Sequence, residues 1–452
     1  MNDIKHDIKK RHKNLSEFRY IAVGFFLTIL SGAIMLSLPF SSRDGQWTNF
    51  LDSLFTATSA TCVTGLVVFD TFRHWSIIGQ LVILVLIQIG GMGFISIGVA
   101  FSMLLHKKIG LRQRDLMQES VNALEIGGIV RLFSVIIRGT FLIEGIGAVL
   151  LAIRFIPDFG ILRGIYFSVF HSISAFCNAG FDLMGINEEY SSFTKYAADP
   201  LVNITIMLLI IIGGIGFTIW NEVRIKKFKL SRYSLHAKIV ISTTLILVFG
   251  GGLFMYIFEK NNTIAGMDTP GAIFASLFGS VTARTAGFNT DTAALTPESK
   301  LLTIVLMFIG GSPGSTAGGI KTTTMAVMII YIVSYLRGCN GCNVFGRKIS
   351  SEVIKKAGMV LIINLVLGLT AVIAILATSN MEMDDVLFEV YSAISTVGMT
   401  TGITRDLNTV GRIIIIIMMY CGRIGSMTFV LSFVHRPDKA NIELPEEKVI
   451  IG

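Results

Sequence analysis

Apolar residues run along this chain in long uninterrupted stretches rather than in alternation with polar ones. The strong stretches occupy roughly residues 18–40, 77–104, 133–153, 201–222, 238–258, 300–336, 356–377 and 411–434. Each has the ~20 residues that an α-helix needs to cross a hydrocarbon core. The eight fall into four pairs, and between the members of each pair lies a shorter apolar segment, such as 50–61 or 167–177. At ~1.5 Å per residue a helix of that length reaches only about half the membrane. A half-helix leaves non-helical backbone at membrane depth, which is tolerated only where it lines water or is buried in protein. The expected fold is therefore an all-α membrane protein with eight transmembrane helices, in four span–pore helix–filter–span repeats around one central pore.

The short segments share a skeleton. Phe55, Ser59-Ala60 and Gly65 recur at the same spacing as Phe170, Ser174-Ala175 and Gly180, and as Phe388, Ser392-Ala393 and Gly398. A degraded copy, Leu277, Val281-Thr282 and Gly287, lies between the last two. Four apolar segments ending in Gly at quasi-regular intervals suggest four loops meeting on one axis. The filter residues are then Val63-Thr64-Gly65-Leu66, Asn178-Ala179-Gly180-Phe181, Thr285-Ala286-Gly287-Phe288 and Thr396-Val397-Gly398-Met399. Backbone carbonyls can replace the water shell of K⁺ without adding a full charge, and Gly reaches the backbone angles that turn successive carbonyls one way. Four helix C-termini aimed at the same centre favour cations. K⁺ held at these carbonyls, as the transported ion, is the only metal expected.

The second span of each pair carries its own glycine motif. It reads Ile89-Gly90-Gly91-Met92-Gly93, Ile212-Gly213-Gly214-Ile215-Gly216, Ile309-Gly310-Gly311-Ser312-Pro313-Gly314 and Gly422-Arg423-Ile424-Gly425. Close helix packing accounts for the first two. The third continues through Ser315, Thr316, Ala317, Gly318 and Gly319. So many glycines with a Pro, which costs ~3 kcal/mol in a helix interior, predict a broken helix, a feature of permeation sites. Residues 310–319 are thus the candidate gate. Arg423, inside the last span, joins it as a donor to carbonyls freed by the break, or as a cationic barrier. Lys321 is equally readable as a gate residue or an interfacial one.

Composition fits this picture. Hydrophobic residues make up 52% and charged residues 15%, with mean hydropathy +0.69, far from the quarter charged of a soluble chain. The net charge of +8 points to no nucleic acid, because the cations cluster in alternate loops. They include Lys9, Lys10 and Arg11; Lys107, Lys108 and Arg112; Lys226, Lys227 and Lys229; and Arg347, Lys348 and Lys355, whereas intervening loops hold two or three each. By the positive-inside rule both termini are cytoplasmic, and no cleavable signal peptide precedes the first span. The division expected is a cytoplasmic N-terminus (1–17), repeat 1 (18–104), repeat 2 with its preceding loop (105–222), repeat 3 with the gating loop (223–336), repeat 4 (337–434) and a cytoplasmic tail (435–452). The five cysteines predict neither a disulfide framework nor a metal site. Asp70, Asp182, Asp291 and Asp406 follow the filters and are open to a cation-concentrating or a merely solvated role. His171, within a pore helix, reads as packing or hydrogen-bonding.

Ala57–Leu66, Ala175–Phe181, Thr282–Asn289 and Ser395–Met399 resemble the Trk/Ktr/HKT superfamily of K⁺ transporters, over nearly the whole chain. With eight spans and no extra pair at the start, the chain is most similar to the Ktr membrane subunit (KtrB or KtrD). The resemblance implies K⁺ selectivity, since Ser at the first filter glycine goes with Na⁺ permeation in that family and all four glycines stand here. It also implies an intramembrane gating loop under the filter, faced by the Arg matching Arg423. Further implications are a bacterial plasma-membrane location and a homodimer on a cytosolic ring of nucleotide-binding regulatory subunits. The chain itself needs no organic cofactor; the nucleotide belongs to the partner, and Na⁺ as an activator is left open. The basic loops suit that ring or anionic membrane lipids equally. The rival readings are a Na⁺- or ammonium-conducting transporter and an intramembrane enzyme, the latter wanting the clustered His, Asp or Glu that the spans hardly offer.

Overall fold

The computed structural model of the protein describes residues 17–93, 128–227, 229–289, 294–339, 341–426, 429 and 430, with isolated residues 96, 99, 110, 114, 117, 118 and 447. Most of the basic loop at 105–132, the N-terminal residues 1–16, Asp291 and nearly all of 435–452 lie outside them. In chain order the helices are α1 (Glu17–Ser37), α2 (Phe50–Cys62), α3 (Thr71–His74), α4 (Ile77–Met92), α5 (Ile129–Phe159), α6 (Ile161–Phe176), α7 (Pro200–Gly214) and α8 (Phe217–Lys226). They continue as α9 (Leu235–Glu259), α10 (Thr269–Thr282), α11 (Pro297–Phe308), α12 (Thr322–Leu336), α13 (Ser351–Thr378), α14 (Met383–Ile394) and α15 (Thr409–Ile424). A two-stranded hairpin, β1 (Asn343–Val344) with β2 (Arg347–Lys348), joins α12 to α13.

Four of these helices, α1, α5, α9 and α13, are long and apolar enough to cross a membrane. Their outward faces carry bare apolar side chains, among them Leu142, Ile146, Val149 and Ile153 on α5. Each packs on the short helix that follows it, α2, α6, α10 or α14. Each short helix in turn packs against the helix closing the preceding set, α15 on α2, α4 on α6, α7 on α10 and α11 on α14. These contacts run in a circle, and the large buried side chains, Phe55, Phe170, Phe176, Phe278 and Phe288 among them, fill the space behind the short helices.

The closing helices α4, α7, α11 and α15 start alike. Ser76, Asp199, Thr296 and Asn408 each stand at the N-cap, and their side chains accept from Gly79, Val202, Ser299 and Gly411 N–H at 2.7–3.3 Å. Such caps satisfy amides that have no partner in the helix.

Three of these helices also end alike, and here the structure corrects the hydropathy reading. The stretches 77–104, 201–222 and 411–434 are not continuous helices. α4 and α15 stop at glycines with positive φ, Gly93 (φ 80°) and Gly425 (φ 94°), and α7, which ends at Gly214, meets α8 at a third, Gly216 (φ 103°). After Gly216 the chain turns by 96° into α8. The earlier glycines of each motif do pack closely: a Cβ on Gly90, Gly213 or Gly422 would strike the carbonyl of Thr61, Phe176 or Ile394. Packing is therefore only half of what the motif does. In the third set the interruption is longer, with no helix between Phe308 and Thr322.

Candidate functional site

Every short helix runs into a turn of the same form. Val63, Asn178, Thr285 and Thr396 have φ of 57°, 59°, 84° and 51°, and two residues later Gly65, Gly180, Gly287 and Gly398 have φ of 96°, 70°, 74° and 90°. Left-handed backbone at a β-branched residue is a genuine outlier that costs ~1–3 kcal/mol and persists only where its surroundings impose it. Three of the four leading residues are β-branched.

The turns form a closed ring. A Cβ on Gly65 would lie 2.6 Å from Ala179 O and 3.0 Å from the Cα of Gly180; one on Gly180 would lie 2.7 Å from Ala286 O and 3.1 Å from the Cα of Gly287. One on Gly287 would strike Val397 O, 3.1 Å from the Cα of Gly398, and one on Gly398 would strike Thr64 O beside Gly65. Each glycine thus abuts the next in the order 65, 180, 287, 398 and back to 65, with the carbonyls of Thr64, Ala179, Ala286 and Val397 at the contacts. No side chain fits at any of the four positions. The side chains of Leu66, Phe181, Phe288 and Met399 are buried in the core behind the ring, so these residues offer it only backbone.

The Ser of the repeated skeleton ties each turn to its own helix. Ser59 Oγ accepts from Gly65 N–H and Ser392 Oγ from Gly398 N–H, both at 3.0 Å. Ser174 Oγ instead donates to Phe181 O at 2.6 Å. In the degraded copy Thr282 Oγ1 donates to Phe288 O at 2.7 Å, from the position next to the one where Ser stands elsewhere. The backbone follows: Thr64, Ala179 and Val397 N–H bond the carbonyls of Ser59, Ser174 and Ser392, whereas Ala286 N–H bonds that of Thr282. The third turn is held in a register shifted by one residue. Asn178 and Thr285 join the second turn to the third by a hydrogen bond of 3.0 Å between their side chains.

Beneath the ring lies the non-helical segment between α11 and α12. Its neck is closed by a parallel bridge between Ile309 and Ile320 and by Thr322 N–H to Gly311 O at 3.0 Å. Gly310 abuts the Thr285 side chain, Gly318 the Thr396 side chain, and Gly319 the backbone of Ser395. On the other flank, Ser312 N–H bonds Gly214 O at 2.9 Å, Thr316 N–H bonds Gly213 O at 3.3 Å, and Phe217 N–H bonds Gly314 O at 2.8 Å. The segment is thereby sewn into the break between α7 and α8, around Pro313. Ser315 Oγ donates to Ser312 O, and Ala317 lies buried against Gly311. The buried hydroxyls of Thr61, Thr64, Thr316 and Thr396 have no hydrogen-bond partner among the described residues.

Two basic side chains hold this segment. Arg423 donates through Nη1 to Thr316 O, and through Nη2 to Gly90 O and, at 3.3 Å, Gly91 O. It therefore bridges the segment to the last turn of α4, whose C-terminal carbonyls have no helical partners. Lys321 Nζ donates to Ala317 O at 2.7 Å and Gly318 O at 3.3 Å, so it faces the segment and not the interface.

On the rim of the ring away from this segment, Asp70 caps α3 by accepting from Phe72 and Arg73 N–H, and also accepts from Tyr190 N–H, all at 2.9 Å. Asp182 accepts from Met184 N–H at 2.9 Å; burial first, and then Asp70, push its carboxyl up to about 7. Asp406 is exposed. Two buried side chains also reach the rim. His171 on α6 accepts Leu183 N–H at Nε2 (3.1 Å) and bonds Phe167 O through Nδ1 (2.7 Å), a pairing that fixes the neutral tautomer with Nδ1 protonated. Glu389 on α14, not singled out in the sequence, accepts from Thr400 Oγ1 at 2.7 Å and from Thr404 Oγ1. The signal was available: each stands nine residues before its turn glycine, at 180 and 398. Glu144, another buried acid, accepts from Gln88 Nε2 at 3.1 Å behind the second turn.

A family model described as "TrkH: Cation transport protein" matches residues 8–444. The "Ktr system potassium uptake protein B" of Bacillus subtilis is 42% identical over 435 residues, covering 96% of each chain. The "Potassium/sodium uptake protein NtpJ" of Enterococcus hirae is 39% identical over 454 residues, 98% of this chain and 99% of the relative. In fold, the chain is similar to the crystal structure of the potassium transporter TrkH from Vibrio parahaemolyticus, with a TM-score of 0.72 at 18% identity, covering 94% of this chain and 86% of that one.

Proposed function

The chain belongs to the TrkH family of cation transport proteins, a family of transporters and not of enzymes, and on that premise we propose that it takes up K⁺ through the ring of four glycine turns. The observation that carries this reading is the closed order of contacts among Gly65, Gly180, Gly287 and Gly398. A ring with room for no side chain leaves backbone oxygens as the ligands, and these replace the K⁺ water shell without a fixed charge. In this reading the turns are the selectivity filter, from Val63–Leu66, Asn178–Phe181, Thr285–Phe288 and Thr396–Met399, and α2, α6, α10 and α14 are the pore helices. The four long helices and the four broken ones, α4, α7 with α8, α11 with α12, and α15, make eight spans in four repeats. Unpartnered hydroxyls of Thr64 and Thr396 are suited to water or a cation entering the ring.

The segment from Gly310 to Gly319, held by Arg423, is the gate in this reading. It lies directly beneath the third and fourth turns, where a conducting path leaves the ring. Na⁺ is the second reading, and the name of the Enterococcus hirae relative favours it as a co-transported or activating ion. The Ktr relatives belong to a named system, which supports partner subunits: a homodimer on a cytosolic nucleotide-binding ring, with both termini cytoplasmic in a bacterial plasma membrane.

The test is Gly65→Ser in liposomes containing purified protein. Because a Cβ at Gly65 meets Ala179 O and the backbone is left-handed there, the ring cannot keep its geometry. The K⁺ over Na⁺ uptake ratio is expected to fall at least tenfold. An unchanged ratio in a folded variant sinks the filter assignment.

A further inference from the structure

Glu389 and His171 occupy equivalent places, each nine residues before its turn glycine, on short helices whose turns face each other across the ring. Both are wholly buried. Both send their side chain past the turn to grip the segment that leaves it. His171 takes Leu183 N–H, three residues after Gly180. Glu389 takes the hydroxyl of Thr400, two residues after Gly398, and that of Thr404 beyond it, and the two hydroxyl oxygens lie 2.9 Å apart. The matching residues of the other two helices make no such reach. Among the described residues Thr56 bonds only Asp52 O in its own helix, at 3.0 Å, and Phe278 is apolar.

The first and third turns borrow their outer support from the chain after the second. Tyr190 OH donates to Val68 O at 3.2 Å, Asn289 N–H donates to Ser192 Oγ at 3.1 Å, and Phe193 N–H donates to Asn289 O at 3.0 Å. Gripping turns two and four therefore fixes the whole rim. The segment behind the second turn begins at the residue that His171 holds, and it in turn holds turns one and three.

We infer that Glu389 and His171 are specificity-determining positioning residues, which set the spacing of the turn carbonyls from outside the pore without touching the ion. This rests on the filter reading above. A carbonyl ring discriminates K⁺ from a smaller cation only while its oxygens cannot close in, so freeing the outer end of a turn costs discrimination more than throughput. Buried hydrogen bonds between carboxyl and hydroxyl groups hold their geometry tightly, because no water competes for either partner. The carboxylate matters as an acceptor of two hydroxyl donors, and an amide keeps both contacts, because either Thr hydroxyl can turn to accept from the amide N–H.

The experiment measures K⁺ and Na⁺ uptake separately in liposomes containing the purified full chain as wild type, Glu389→Gln, Glu389→Leu, Thr404→Val and His171→Phe. The K⁺ over Na⁺ ratio is expected to stay within about threefold of wild type in Glu389→Gln. It is expected to fall about tenfold or more in Glu389→Leu and His171→Phe, and to fall by less in Thr404→Val, mainly through faster Na⁺ uptake. Thr404→Val keeps size and removes one donor, so it reads the effect even where Glu389→Leu does not fold. Ratios equal to wild type in Thr404→Val and in whichever larger substitution folds overturn the inference while leaving the filter in place. A wild-type protein that takes up both ions equally defeats the filter reading first, and this inference with it.

Discussion

Replacing Arg423 by Met separates what this side chain does for the gate from what it does for the fold. Its Nη1 bond ends on Thr316 O in the segment beneath the ring, while its Nη2 bonds end on Gly90 and Gly91 in α4. Only the first distinguishes a seated segment from a displaced one. A hydrogen bond to a charged group is worth ~1.5–3 kcal/mol, which is about 10- to 150-fold in the ratio of seated to displaced segment. The loss at Gly90 and Gly91 weakens the α4 terminus in both states and is partly offset, because Met has no charge to desolvate. K⁺ influx into liposomes by Arg423→Met without any partner subunit is therefore expected to exceed wild type at least tenfold. Arg423→Lys keeps the charge and loses the fork that spans two carbonyl sites, so it tells tether from electrostatic barrier. A tether gives Lys an intermediate flux; a barrier leaves it at the wild-type level. Flux equal to or below wild type in Arg423→Met, with an unchanged melting temperature, refutes the gating role.

Two further outcomes follow from the outer half of the molecule. Arg412 pairs with Asp52, joining the last closing helix to the first short one, and both side chains are mostly buried. Arg412→Met leaves Asp52 alone and is expected to lower stability by about 2–3 kcal/mol, somewhat below the cost of breaking a fully buried pair. Arg412→Met with Asp52→Leu should recover most of the lost melting temperature, and equal melting of both variants and wild type contradicts the staple. Asp182 has its carboxyl raised from 3.8 to about 7, so the folded state holds a proton that the unfolded state has released. Its contribution to stability is complete below pH 4 and is lost as pH rises to about 7. Asp182→Asn should flatten the melting-temperature profile over that window and raise it at pH 8, and an undiminished slope tells against it.

The hydropathy runs located α1, α5, α9 and α13, and the Phe–Ser-Ala–Gly spacing located the short helices, because burial in lipid and a hydroxyl tie at a fixed distance both leave marks on residue type. The breaks at Gly93, Gly216 and Gly425 were invisible to hydropathy, which registers transfer energy and not backbone angle. Val63 and the three residues matching it were also unreadable as left-handed, since nothing in Val or Thr announces it and the fold alone imposes it. The degraded copy looked like decay; Thr282, one place along from the usual Ser, shows a register shift that keeps the tie. Glu389 is not legible in the sequence, because an acid that follows Glu382, Asp384 and Asp385 resembles one more exposed carboxylate until its partners, 11 and 15 residues away, fold back over it.

The closed neck at Ile309 and Ile320 gives the segment beneath the ring the mechanics of a flap on a fixed hinge. If residues 312–319 move as a unit on this neck, α11 and α12 keep their positions, and displacing them requires no tilt of a lipid-facing helix and no work against the bilayer. Three handles reach the flap, the broken end of α7 through Ser312 and Thr316, the start of α8 through Phe217, and α15 through Arg423. A small push on any of these helix ends is thus delivered to eight residues rather than shared across the membrane. In the proposed gate reading, this arrangement is sensitive to partners that move those helix ends and indifferent to membrane thickness.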